Sequence, residues 1–274
     1  MSVFNAIINF VFGLLFIPFR GMNPWVGLIA LSVISGVFLL WVFKITSDQA
    51  AISAAKNRLR GYLLEIRLFQ DDPGIVFSAF GRILLNNAIY MRYALAPMLF
   101  MIIPVVLFLV QADMRFGVAP VEPGEKFMVS VVLDEKSKGL LDDMELEIPE
   151  GVEIAAGPVI IPSESEIAWE LVVHDEKNHE IVLSVGEDKY KHPLIASGDG
   201  KRIARARVSG SAMDKFMNSG YPPLPKNSPV KKIEIDYPHL ELKIAGITIH
   251  WLITFIVVSI VFGYSVKGLF GVEI

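Results

Sequence analysis

Three stretches of the chain, Trp25 to Phe43, Tyr93 to Val110 and Ile247 to Val266, run for 18 to 20 residues without a Lys, Arg, Asp or Glu. At about 1.5 Å per helical residue, runs of this length match a hydrocarbon core of about 30 Å, and each predicts a membrane-spanning helix. A fourth apolar run, Val3 to Phe19, is shorter, carries Asn5 and Asn9, and breaks at Pro18 before Arg20 and Gly21. Asn5, Asn9 and Gly13 recur every fourth residue and would form a narrow, less apolar stripe, which favours a helix lying in the interface over one that crosses. The run lacks the leading basic residues and small-residue cleavage pattern of a secretory signal, so its removal is not expected.

Between the first two spans the pattern changes. Ile52, Ala55, Leu59, Leu63, Ile66 and Phe69 follow at spacings of three and four after Thr46-Ser47-Asp48, whose side chains suit a helix start. Asp71-Asp72-Pro73-Gly74 signals a turn, and Val76, Phe80, Ile83, Leu84 and Asn87 resume the helical period. These features predict an antiparallel helical hairpin, each arm covering the other's apolar stripe, with Lys56, Arg58, Arg60, Arg67 and Arg82 on a solvated contact surface.

From Phe127 the period drops to two: FMVSVVL, MELEI, VEIA, PVII, EIAWELVV, HEIVLSV, RIARARV, KKIEIDY and HLELKI, separated by Gly, Pro, Asn and Asp clusters. About seven to nine short strands over this length predict an all-β, immunoglobulin-like sandwich inserted into an α-helical membrane core, with Asp214 to Pro229 as a loop or linker. The expected organisation is an interfacial helix (1–21), a first span (22–44), a hairpin (45–91), a second span (92–111), the β domain (112–245), a third span (246–268) and a short tail (269–274).

Charge orients this arrangement. Residues 44–92 hold seven Lys/Arg against four Asp/Glu, whereas residues 113–245 hold sixteen against twenty-four. The excess of basic residues in the short loop places the hairpin in the cytoplasm, and alternation of the spans then places the β domain outside an inner, cytoplasmic membrane. A hydrophobic content of 53% and a mean hydropathy of +0.50 agree with a chain whose first partner is the bilayer. At a net +3 the hairpin surface is only weakly basic; anionic headgroups, a ribosome or a nascent chain are candidate partners, and no DNA contact is expected.

Catalytic chemistry finds little support. There is no cysteine, which excludes disulfides, thiolate metal sites and thiol nucleophiles. The five histidines show no helical zinc spacing, and Asp142-Asp143 and Glu164-Ser165-Glu166 lack the loop pattern of a calcium site. No enzymatic activity, metal or cofactor is therefore expected. The spans carry small, polar or helix-distorting residues instead: Ser32, Ser35 and Gly36 in the first, Pro97 and Pro104 in the second, and Thr248, His250, Thr254 and Ser259 in the third. Small residues commonly mark close helix packing. If their polar faces converge, Ser32, Ser35, His250, Thr254 and Ser259 line a hydrated groove with Asn86, Asn87 and Arg92 at its cytoplasmic mouth.

The order of parts, with the proline-bearing stretch Pro97 to Pro104 (PMLFMIIP) and the exit Lys44 to Gln49 (KITSDQ), resembles the Oxa/YidC/Alb superfamily of membrane protein insertases, including its reduced three-span branch. The resemblance covers roughly residues 1–111 and 246–268. It implies a cofactor-free insertase or assembly chaperone that presents an intramembrane groove to client segments and thins the local bilayer. The β domain, lying where small members have a short loop, implies a further partner outside. An alternative is a membrane-anchored interaction or structural protein whose sandwich binds that partner, or an accessory subunit of a membrane complex.

Overall fold

In the computed structural model, which describes residues 2–198, 202–244 and 246–272, the helices stop and start where the sequence supplies caps. Helix α1 (Ser2–Leu15) is followed by a tight turn at Ile17–Phe19 that contains Pro18. Helix α2 (Pro24–Thr46) opens with proline at its first position, where no N–H is needed, and Asn23 Oδ1 accepts the Trp25 N–H at 3.0 Å. The Thr46 and Ser47 hydroxyls donate to the Val42 and Phe43 carbonyls at its end. Asp48 then caps α3 (Gln49–Leu68) by accepting the Ala51 N–H at 2.9 Å. Asp72 does the same for α4 (Pro73–Ala112), accepting from Gly74 and Ile75.

Two corrections concern the spans. Helix α4 runs 40 residues without interruption, about 60 Å and twice the thickness of a hydrocarbon core. The expected division at residues 91 and 92 is therefore not a break, and one helix carries both the hairpin arm and the second apolar run. Pro97 and Pro104 lie inside it, each withholding the N–H that the carbonyl of Tyr93 or Phe100 would otherwise accept. The third run divides. Strands β9 (Leu242–Ile244) and β10 (Ile247–Ile249) pair as a hairpin next to Gly246, whose φ of +85° a side chain would strain. The last long helix begins only at Trp251 and ends at Val266, 16 residues. Apolar content alone cannot separate the two, because the β-branched Ile247-Thr248-Ile249 serves either. Two helices are long and apolar enough to cross a membrane, Pro24–Thr46 and the helix from Pro73.

The period-two region forms two antiparallel sheets. One has the order β3-β4-β1-β8-β7, from β1 (Lys126–Leu133), β3 (Val152–Ile161), β4 (Glu166–Val173), β7 (Ala206–Val208) and β8 (Val230–Ile235). The other is β2-β5-β6, from β2 (Met144–Glu147), β5 (His179–Val185) and β6 (Asp188–Leu194). Alternate residues of both, including Val131, Trp169, Leu171, Leu183 and Ile233, form one buried apolar cluster.

Several strands differ from expectation. VEIA and PVII are one edge strand whose register shifts on both sides of Ala156, where an edge position tolerates Pro158. Strand β6 was absent from the sequence pattern, because DKYKHPL hides its inward Tyr190, His192 and Leu194 among lysines and a proline. Of RIARARV only the last three residues pair. The expected linker at 214–229 begins inside a short helix, α5 (Ala212–Met217), closed by a reciprocal capping box between Ser211 and Asp214.

The chain divides into two compact units, Met1–Leu28 with Val110–Trp251, and Ile29–Leu109 with Leu252–Ile274. The β-rich unit is thus wider than the expected 112–245, since α1 belongs to it. The asparagine stripe of α1 explains this: Asn5 Nδ2 donates to the Lys215 carbonyl at 2.9 Å and Asn9 Nδ2 to the Ser219 carbonyl at 2.8 Å, while Gln111 Nε2 donates to Asn9 Oδ1. Val3 and Ile7 remain exposed on the other side, and Phe10 and Leu14, beside the stripe, are exposed as well. With 14 residues, α1 reaches only about 21 Å.

His192, on the inward side of β6, is 1% exposed; its Nδ1–H donates to the Pro193 carbonyl at 2.9 Å and its Nε2 has no partner. Burial, aided by the nearby Arg207 charge, holds its pKa down to about 4. The unfolded chain binds this proton from about pH 6.5 downward and the folded chain does not, so stability falls as pH drops from about 6.5 to about 4, by roughly 3 kcal/mol in all. The purified protein is expected to unfold more readily at pH 4.5 than at pH 7, and His192→Gln to flatten that dependence; equal pH slopes for both proteins would refute the assignment.

Candidate functional site

Within the helical unit, α2 and α6 (Trp251–Val266) meet along a seam of small residues. Ser32 and Gly36 are four apart on α2, and Ser259 and Gly263 are four apart on α6, so each pair falls on one helix face. A Cβ at Gly36 would lie 2.5 Å from the Ser259 carbonyl oxygen, and one at Gly263 would lie 3.2 Å from the Gly36 carbonyl oxygen. Backbone approach this close requires glycine at position 36. The Ser35 and Ser259 hydroxyls are 2.9 Å apart across the seam, and each also reaches a carbonyl on its own helix, Ser32 and Phe255 respectively. Whichever hydroxyl donates across the seam gives up its own carbonyl, so both stay hydrogen-bonded within an apolar setting.

Beside the seam lies an apolar slot of about 350 Å³. Leu39, Leu40 and Phe43 of α2, Met98 and Met101 of α4, and Ile260 and Tyr264 of α6 line it, with Gly36, Ser259 and Gly263 along one wall. The unbranched thioether side chains of two methionines can refill such a space in several shapes. Leu40 and Phe43 also join a cluster with Ile52 and Val272, against which Tyr90, Val266 and Phe270 pack.

This arrangement redistributes the expected groove residues. Ser32, Ser35 and Ser259 come together, but buried against a neighbouring helix, so they form a packing seam instead of a hydrated lining. Thr254 is half-buried on α6, and Asn87 and Arg92 are exposed on α4; none of these lines the slot. Asn86 is buried and donates to the Arg82 carbonyl. His250 precedes α6 and is exposed, with its ring 5.8 Å from that of Trp251. Met98 and Met101 escaped the sequence reading because methionine within an apolar run gives no periodic signal. The small-residue spacings 32/36 and 259/263 were the legible part.

The hairpin surface also changes. Arg58, Arg60 and Arg67 are exposed and Lys56 is half-buried, but Arg82 pairs with Glu65 at 2.9 Å and lies over the Tyr62 ring. The arms do not cover each other's apolar stripes. Of the stripe residues Ile52 and Ala55 are buried and Leu59, Ile66, Val76 and Ile83 half-buried, whereas Leu63, Phe69, Phe80 and Leu84 are exposed. Among the described residues, no group of three or more His, Asp or Glu side chains could hold a metal ion. Compared with protein-family models, curated proteins and solved structures, the chain matches none.

The seam yields a direct test. In the cysteine-free chain, Ser35→Cys with Ser259→Cys is expected to cross-link within one molecule on mild oxidation. Adding Gly36→Leu, which must displace the Ser259 backbone, should reduce that yield at least tenfold. An unchanged yield would show that the helices do not meet here.

Proposed function

We propose that the chain is a multi-pass membrane protein that assists the insertion or assembly of other membrane proteins without enzymatic chemistry. The observation that carries this reading is the slot: an apolar recess bounded by three helices and lined by Met98 and Met101, of a kind that accepts varied apolar side chains. The driving force would be transfer of client apolar surface from water, about 25 cal/mol per Å². In this reading the expected hydrated groove gives way to an apolar recess.

The length of α6 supports the same reading. Sixteen residues span about 24 Å, less than a hydrocarbon core of about 30 Å, so the bilayer beside it would thin and the barrier to a polar flank would fall. The exposed arginines of α3 then face the cytoplasm, where the excess of basic residues in the loop places them. The two β sheets, read as an immunoglobulin-like sandwich outside the cytoplasm, would hold a partner or a released client domain.

Site-specific photocrosslinking in cells tests the proposal. Probes replacing Met98 and Met101 are expected to capture newly made membrane chains of several sizes, whereas a probe replacing the exposed Val159 on β3 is not. Adducts from Val159 alone, to one stable partner, would contradict the assembly reading and support an anchored interaction module.

A further inference from the structure

The β-rich unit contains a second and larger cavity, of about 680 Å³, between α1 and the loop that follows α5. Its volume falls within the range of roughly 300–1,000 Å³ usual for small-molecule sites. The lining of the cavity is chemically mixed. Ala6, Phe10 and Leu14 of α1 and Ile17 just after it line the apolar part, and Arg20 and Arg202 line the cavity as well. Neither guanidinium has a carboxylate or hydrogen-bond partner among the described residues.

A third cation sharpens the imbalance. Arg115 lies close enough to Arg20 and Arg202 for mutual repulsion. Its Nη1 donates to the carbonyl and Oε1 of Gln111, and it stacks over the Phe16 ring at 4.5 Å. Arg202 itself is partly buried, which makes an unpaired charge there costly. Two neutral groups on the cavity wall are incompletely satisfied. Asn5 is 6% exposed, with its Nδ2 spent on Lys215 and its Oδ1 unpaired, and the buried Tyr221 hydroxyl reaches no acceptor, with the Ala204 backbone N–H and the Arg202 charge beside it. Such groups at a cavity lining are satisfied by water or by a bound polar molecule.

We propose that this cavity binds a phosphate-bearing lipid, its phosphate held between Arg20 and Arg202 and its acyl chain laid along Ala6, Phe10, Leu14 and Ile17. Two guanidiniums with free donors suit a phosphate, which accepts paired N–H bonds in a planar fork. A phosphate oxygen held by Arg202 can accept from the Tyr221 hydroxyl beside it. The apolar part distinguishes a lipid from a free phosphate. Gly13 also lines the cavity, and a side chain built there meets no atom within 4 Å, so the space beside α1 is open to a chain. The proposal is independent of the client slot.

The test uses the full chain in detergent, titrated with phosphatidic acid, with phosphatidylcholine and with inorganic phosphate, read by native mass spectrometry and by the thermal midpoint. Saturable one-to-one binding of phosphatidic acid is expected, raising the midpoint. Arg20→Gln with Arg202→Gln should weaken it at least tenfold while leaving the lipid-free midpoint equal or higher, because repulsion is relieved. Gly13→Phe should block the lipid by filling the apolar part, with both arginines intact. Inorganic phosphate binding as tightly as the lipid, or lipid binding unchanged in either variant, would overturn the proposal. Equal affinity for phosphatidylcholine is compatible with the phosphate contact only if the double arginine variant loses both lipids; retention of either overturns it.

Discussion

The helical unit depends on one steric fact, that no side chain fits between Gly36 and the Ser259 carbonyl. In a membrane, as proposed for these helices, burying apolar surface against a neighbour gains little, because hydrocarbon tails are as apolar as leucine, and close backbone approach with satisfied hydroxyls would supply the attraction. Ser35 and Ser259 provide the hydrogen bond, and the glycines at 36 and 263 provide the approach. Once α2 and α6 are fixed by that seam, the larger residues on either side, Leu39, Phe43 and Tyr264, cannot close the gap to α4. The slot that Met98 and Met101 line is the space left over.

In the β-rich unit the governing interactions are of another kind. Inward residues of two sheets supply an apolar core, and the two asparagines of α1 tie the N-terminal helix to backbone carbonyls at 215 and 219. An amphipathic helix is usually placed by its apolar face. Here the polar stripe, with the buried Phe12 and Phe16 beside it, is what binds, and Val3 and Ile7 are left outward. That placement also shapes the arginine-lined cavity, since the stripe holds α1 over the loop at Ser219 to Pro223.

Much of this was legible in the residues. The apolar runs, the capping signal at Thr46 to Asp48, the turn at Asp71 to Gly74 and most strands followed from periodicity and turn chemistry. What escaped was decided by tertiary context. Ile247-Thr248-Ile249 reads equally as the start of a span or as a strand, and pairing with Leu242–Ile244 settled it. Strand β6 is written in lysine, histidine and proline because one of its faces meets water and its position at a sheet edge admits a proline. The serines looked like a wet lining because sequence shows that a polar group is present but not which partner satisfies it. Arg20 and Arg202 drew no attention, being 182 positions apart and unremarkable until the fold brings them to one cavity.

The most direct measurement of the proposed activity is insertion of a radiolabelled single-span protein into liposomes that contain the purified chain, with no nucleotide added. Protease-protected insertion well above that of empty liposomes, and lost when Met98→Trp and Met101→Trp fill the slot, is the expected result. Insertion equal to empty liposomes, or undiminished by filling the slot, would contradict a role in membrane protein assembly.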